Sequence, residues 1–136
     1  MTDAAPPPAA PTPAAEPVYD ILIVGGGMAG LSAAIYTTRE RLSTLVLEKL
    51  MPGGQILTTA RVENYPGFPE PINGMELAGR LAQQAARFGA EIVSGLEVTR
   101  VAAVEAGGRR LVEAVTRDRT YRGRAMILAV GSEYRK

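Results

Sequence analysis

The sequence contains no cysteine, no histidine and no tryptophan. Without cysteine there is no disulfide framework, no thiolate metal site and no thiol nucleophile in these 136 residues. Without histidine the commonest general base and metal ligand is gone as well. No catalytic residue and no metal ligand is therefore expected here. Neither sign of charge dominates: 15 Lys and Arg against 14 Asp and Glu leave a net charge of +1. Charge thus points to neither a nucleic acid nor an acidic surface as partner. No apolar run approaches the roughly 18 residues of a membrane span. The start of the chain lacks the basic flank and apolar core of a secretory signal. A cytoplasmic protein with no membrane or nucleic-acid partner is the expectation.

What is present suits a soluble globular chain, 46% hydrophobic and 21% charged. The length allows one domain at most. Residues 1–17 stand apart, with six Pro and six Ala and almost no large apolar side chain. Such a segment buries too little surface to offset its ordering entropy, so it reads as a disordered, partly polyproline-II tail. Residues 18–136 are the folded part.

The rest is organised around residues 18–30, Val-Tyr-Asp-Ile-Leu-Ile-Val-Gly-Gly-Gly-Met-Ala-Gly. An apolar run stops at three glycines, and a helix-period segment starts at once. Gly25, Gly27 and Gly30 fit G-x-G-x-x-G between a strand and a helix, the context that makes the pattern a dinucleotide fingerprint. Gly25 allows the tight turn, Gly27 lets backbone approach a pyrophosphate, and Gly30 lets helix pack on strand. The helix start then offers free N–H groups and a positive dipole end to phosphates.

In chain order, residues 19–24 predict a strand buried on both faces, and residues 28–40 a helix. Residues 43–48 predict a second strand, ending in Glu48, 18 residues beyond Gly30. An acid there accepts hydrogen bonds from a ribose, and its weight in stability without cofactor is expected to be small. Residues 49–71 form a long polar stretch carrying Ile56, Leu57, Val62, Tyr65 and Phe68, read as a ligand-covering loop. A second helix is expected over 73–88, with Asn73 and Glu76 close to a capping box and Gly89 as its stop. A short strand at 91–94 follows. Alternation over 96–105, 109–116 and 120–124 predicts an antiparallel meander, and residues 125–130 a last buried strand. The parallel strands should lie in spatial order 3-2-1-4 with right-handed crossovers.

Residues 53–68, Gly-Gly-Gln-Ile-Leu-Thr-Thr-Ala-Arg-Val-Glu-Asn-Tyr-Pro-Gly-Phe, resemble a segment of the low-molecular-weight bacterial thioredoxin reductases, class II pyridine nucleotide-disulfide oxidoreductases. Residues 125–132 resemble that family's second flavin motif, usually written A-T-G. The resemblance covers residues 19–136, the family's N-terminal FAD-binding segment. It implies an α/β, Rossmann-like FAD/NAD(P)-binding fold in which the meander replaces a third crossover helix. It implies FAD as cofactor. The glycine turn with Gly26, Met28 and Ala29, then Glu48 and Lys49, would hold the ADP half. Val98 would meet the adenine through its backbone. Gly53, Gly54, Gln55, Thr59 and Asn64 would line the flavin side, with Ala129 and Gly131 from the second motif. Three departures stand out: Met28 where the family has Pro, Val130 where it has Thr, and Ala60 where it often has a hydroxyl residue.

In that family the chain continues into an NADPH domain with a Cys-x-x-Cys pair and returns to close the FAD domain. On this resemblance the 136 residues are expected to be incomplete at the C-terminus, to bind FAD weakly or not at all without the closing segment, and to be inactive alone. NADPH would act only through a domain not present here. The completed protein would be a homodimer that reduces thioredoxin or another redox protein. Two other readings stay open: the N-terminal segment of a thioredoxin-reductase-like ferredoxin–NADP reductase, or a non-catalytic nucleotide-binding module.

Overall fold

The computed structural model describes residues 17–132. The proposed proline-rich tail therefore lies outside the described residues, apart from the exposed Pro17. Six strands form one sheet, in the order β3-β2-β1-β6-β5-β4. β1 is Val18–Val24, β2 Thr44–Leu47, β3 Glu91–Val93, β4 Val98–Ala106, β5 Arg109–Thr116 and β6 Thr120–Leu128. β3, β2, β1 and β6 run parallel, and β6, β5 and β4 run antiparallel. Read from β3 to β6, this is the expected 3-2-1-4 order.

One expectation needs correction. The third meander strand and the strand expected to be buried at 125–130 are one strand, β6, which ends at Leu128 and has no buried residue from Ala125 on. Its first half pairs with both β5 and β1, Arg122 facing Glu113 on one side and Val18 on the other. Its second half, Ala125 to Leu128, pairs with β1 alone. The change from alternating to apolar side chains at Ala125 marks a change of neighbours, not a turn.

Two helices, α1 (Met28–Arg39) and α2 (Gly74–Arg87), cover one face of the parallel strands. Ile23 and Val46 point into this layer and pack with Leu31, Ala34, Ile35, Leu81 and Ala85. Because strand side chains alternate, Leu22, Leu45 and Leu47 face the other way. They pack under the meander, against Leu96, Ala114 and Tyr121. Apolar residues on both faces of β1 and β2 explain their lack of alternation. At the far end of the sheet, Asp20 accepts the Ser43 N–H at 2.9 Å, and this bond holds its carboxyl below the usual range. Burial and a hydrogen bond to Glu91 push the Tyr19 phenol up to about 12.

A third small cluster joins residues 49–73 to the start of α2. Val62, Ile72 and Leu77 are buried together, with Met28, Ile56, Tyr65 and Phe68 packed on them. That stretch also holds a 3-10 helix, Gly54–Thr58, where no regular structure was expected. α2 begins as foreseen: the Asn73 side chain accepts the N–H groups of Met75 and Glu76, and Gly89 ends it with φ 102°.

Candidate functional site

Parallel strands carry their carboxyl ends to one edge of the sheet, and in α/β sheets ligands bind outside that edge. Here β2, β1 and β6 lie side by side and release Glu48, Gly25 and Ala129. The ladder continues one step past the strands: Gly25 N–H donates to Leu47 O at 2.9 Å, Ala129 N–H to Val24 O at 2.8 Å and Glu48 N–H to Val93 O at 2.9 Å. A cleft of ≈ 1200 Å³ opens above them.

The three fingerprint glycines have different reasons to be glycine. Gly25 has φ 106°, and a Cβ there would lie 2.1 Å from Ala129 O. A Cβ on Gly30 would lie 1.9 Å from Gly25 O. Both are required by the chain's own packing. Gly27 is not: a Cβ would come no nearer than 3.8 Å to Gly54 Cα and 3.9 Å to Gly53 O, ordinary contacts. Its bareness keeps the cleft side of the turn open. Gly27 is also the N-cap of α1, with no side-chain cap and no acid in the first turn. The helix start at Met28 and Ala29 therefore offers amide donors that no side chain of its own satisfies. A glycine left bare beside free amides at a helix N-terminus fits a pyrophosphate.

Glu48 is 7% exposed. Its Oε2 accepts the Gly26 N–H at 2.6 Å and its Oε1 accepts the Leu50 N–H at 3.1 Å. A carboxylate oxygen can accept more than one donor, so each retains capacity for a ribose hydroxyl. The Glu48 carboxylate also pins the turn in the absence of any ligand. These two bonds argue against the expectation that it matters little without cofactor. Leu96 N–H donates to Glu48 O at 3.0 Å and Gly95 N–H to Leu50 O at 3.1 Å. These bonds bring Glu97 and Val98 to the same end of the cleft, beside Lys49.

The covering loop closes the opposite side. Gly53, at φ 130°, donates to Gly26 O at 2.7 Å, and Gly27 and Gly53 form an isolated bridge. Gly54, Gln55 and Thr59 line the cleft, with Ala129 and Gly131 facing from the end of β6. The Gln55 amide donates to Ser132 O, joining the loop to the residues after β6.

Three of the proposed cofactor residues do not line the cleft. Gly26 uses its N–H on Glu48 and its carbonyl on Gly53. Gly30 is buried under the turn. Asn64 is exposed and borders a separate hollow of ≈ 480 Å³ made by residues 63–69. Val62 and Ile72 exchange backbone hydrogen bonds at 2.8 and 3.0 Å. That pairing closes residues 63–71 into an excursion of their own, and Asn64 goes with it. Conversely, Leu50, Met51, Glu97 and Ser132 line the cleft without having been foreseen. For Leu50 and Met51 the signal was two large apolar residues in a polar stretch, both more than half exposed. For Glu97 and Ser132 no local signal existed.

A sequence profile described as pyridine nucleotide-disulphide oxidoreductase matches residues 19–136. The chain belongs to the pyridine nucleotide-disulphide oxidoreductases. Within that family it is similar to the thioredoxin reductase of Bacillus subtilis, 44% identical over 121 residues, which are 89% of this chain and 36% of the relative. A bifunctional thioredoxin reductase/thioredoxin of Mycobacterium leprae is 41% identical over 91% of this chain and 26% of its own. The crystal structure of Lactococcus lactis thioredoxin reductase matches with a TM-score of 0.77 at 38% identity, over 87% of this chain and 37% of that one. The chain thus spans about a third or less of the length of these members of the pyridine nucleotide-disulphide oxidoreductases.

Proposed function

We propose that this chain is the FAD-binding part of an NADPH-dependent disulphide reductase that serves thioredoxin. The observation that carries the reading is the cleft at the ends of β2, β1 and β6. It holds a sugar acceptor at one end, bare amides in the middle and a polar loop at the other. That order matches the order of groups in FAD: adenosine, pyrophosphate, flavin.

Bound FAD would supply electron transfer between a nicotinamide and a disulphide. The residues of this chain bind and orient. Glu48 takes the ribose hydroxyls, with Lys49 and the Val98 backbone beside the adenosine. The amides of Gly27, Met28 and Ala29 take the pyrophosphate. Gly54, Gln55 and Thr59 form one wall of the flavin end, and Ala129 and Gly131 the other. Asn64 has no part in this set. Val130 lines the same cleft and offers shape without a hydroxyl donor.

Nothing in the cleft is a thiol, and the chain has no cysteine. Disulphide exchange needs a thiolate, so on this reading the exchanging pair and the NADPH site belong to other parts of the whole protein. Thioredoxin as partner, homodimer formation and a cytoplasmic location are part of the same proposal. Among the described residues no helix is long and apolar enough to cross a membrane.

Two assays on the 136-residue chain test this. On addition of FAD, the flavin absorption bands shift and gain structure as the ring leaves water. With NADPH, FAD and oxidised thioredoxin supplied, NADPH loss stays at the rate of a control without protein. An unchanged flavin spectrum at saturating chain contradicts the binding part. Sustained NADPH loss contradicts the division of labour.

A further inference from the structure

Gly74 opens α2, and the helix gives no reason for glycine there. Its φ lies outside the left-handed range, and alanine is the better helix former by a wide margin. The reason lies in what passes over it. A Cβ at residue 74 would fall 1.8 Å from Ile56 O and 2.7 Å from Thr59 O. The Gly74 N–H donates to Thr59 O at 2.9 Å, and the Asn73 amide reaches Ala60 O at 3.4 Å. One turn further along, Gly53 sits so close to Ala78 that a Cβ on it would be 2.6 Å from the Ala78 methyl. The N-terminal turns of α2 are thus the seat on which residues 53–60 rest.

We infer that Gly74 is a positioning residue for the flavin end of the cleft. This rests on the FAD reading above and deepens it. The clash that alanine would introduce is with backbone carbonyls, so one of the two elements must move. α2 is anchored by Leu77, Ala78, Leu81 and Ala85, all buried. No residue of the 3-10 helix is buried. The 3-10 helix gives way, and Gln55 and Thr59 move with it. The phosphate turn and Glu48 are held by β1, β2 and α1 and stay where they are. Gly74 therefore sets the grip on the flavin ring separately from the grip on ADP.

The test is Gly74→Ala in the 136-residue chain, with Gly79→Ala as control. Gly79 lies on the same helix, where a Cβ would meet nothing within 4 Å. Titrations with FAD and with ADP are run in parallel. Gly74→Ala is expected to weaken FAD about tenfold, the scale of an overpacked contact, and to leave ADP unchanged. Gly79→Ala changes neither. Amide exchange in the ligand-free chain is the second readout: positions 59 and 74 exchange faster in Gly74→Ala and not in Gly79→Ala. Should Gly74→Ala fail to fold, Ala78→Gly loosens the same seat without a clash and must give the same split. Equal loss of FAD and ADP, or unchanged exchange at 59 and 74, overturns the inference. If the unaltered chain binds ADP and not FAD, the flavin reading falls, and the exchange data still decide whether α2 seats the loop.

Discussion

On the phosphate side of the cleft, residues 18–48 run strand, turn, helix, strand, and each piece is held by sheet pairing or by burial between α1 and β1. On the covering side, residues 49–72 hold one 3-10 helix, two isolated bridges and a small apolar cluster. Both sides depend on glycines, used differently. Gly30 lets α1 touch the turn just before it, and Gly25 lets that turn touch Ala129 at the end of β6, so the phosphate side joins neighbours in sequence to the strands of the central sheet. Gly53 and Gly74 let the loop touch an element that comes later in the chain. A turn held among paired strands is fixed by the sheet, whereas a loop resting on one helix is as firm as that seat.

The comparison is broken most severely at Gly30. With a Cβ 1.9 Å from a backbone oxygen, Gly30→Ala must separate α1 from β1. A loss of about 3 kcal/mol or more is expected, the upper end of overpacking costs, and it is read from chemical denaturation. A loss below about 1 kcal/mol would show that the turn is softer than the geometry implies.

Glu48→Ala is next. It leaves the buried N–H of Gly26 without its acceptor and releases Leu50. Stability without any cofactor should fall by about 2 kcal/mol, the scale of a lost charged hydrogen bond plus an orphaned donor. Glu48→Gln, which keeps an acceptor oxygen, should recover part of it. Equal melting of Glu48→Ala and the unaltered chain would return the acid to a role on the ribose alone.

On the covering side Asn73→Ala removes the cap of α2 and is expected to cost about 1 kcal/mol. It should also speed backbone exchange at Gly74 and in residues 53–60, because the cap and the seat are the same turn. Exchange confined to α2 would separate the two.

This division also explains what could be read from the sequence. The phosphate side was legible because its signals are local: an apolar run, glycine spacing, helical period, an acid at the end of the next strand. The cap at Asn73 and the stop at Gly89 were legible for the same reason. The continuity of β6 was not, because its two halves differ in neighbours, and composition records neighbours. Asn64 was assigned by resemblance of a string. Its position depends on the Val62–Ile72 pairing, and nothing adjacent to Asn64 encodes that. Gly74 gave no signal, because its partners, Ile56 and Thr59, lie 15 or more residues earlier.

The central claim is that this cleft grips FAD chiefly by its ADP half. The most direct measurement is a pair of flavin fluorescence titrations of the 136-residue chain, one with FAD and one with FMN, each repeated with excess ADP. The account predicts that FAD binds, that ADP displaces it, and that FMN, which lacks the adenosine, binds at least about a hundredfold more weakly. FMN binding as tightly as FAD, or FAD binding untouched by ADP, would contradict it.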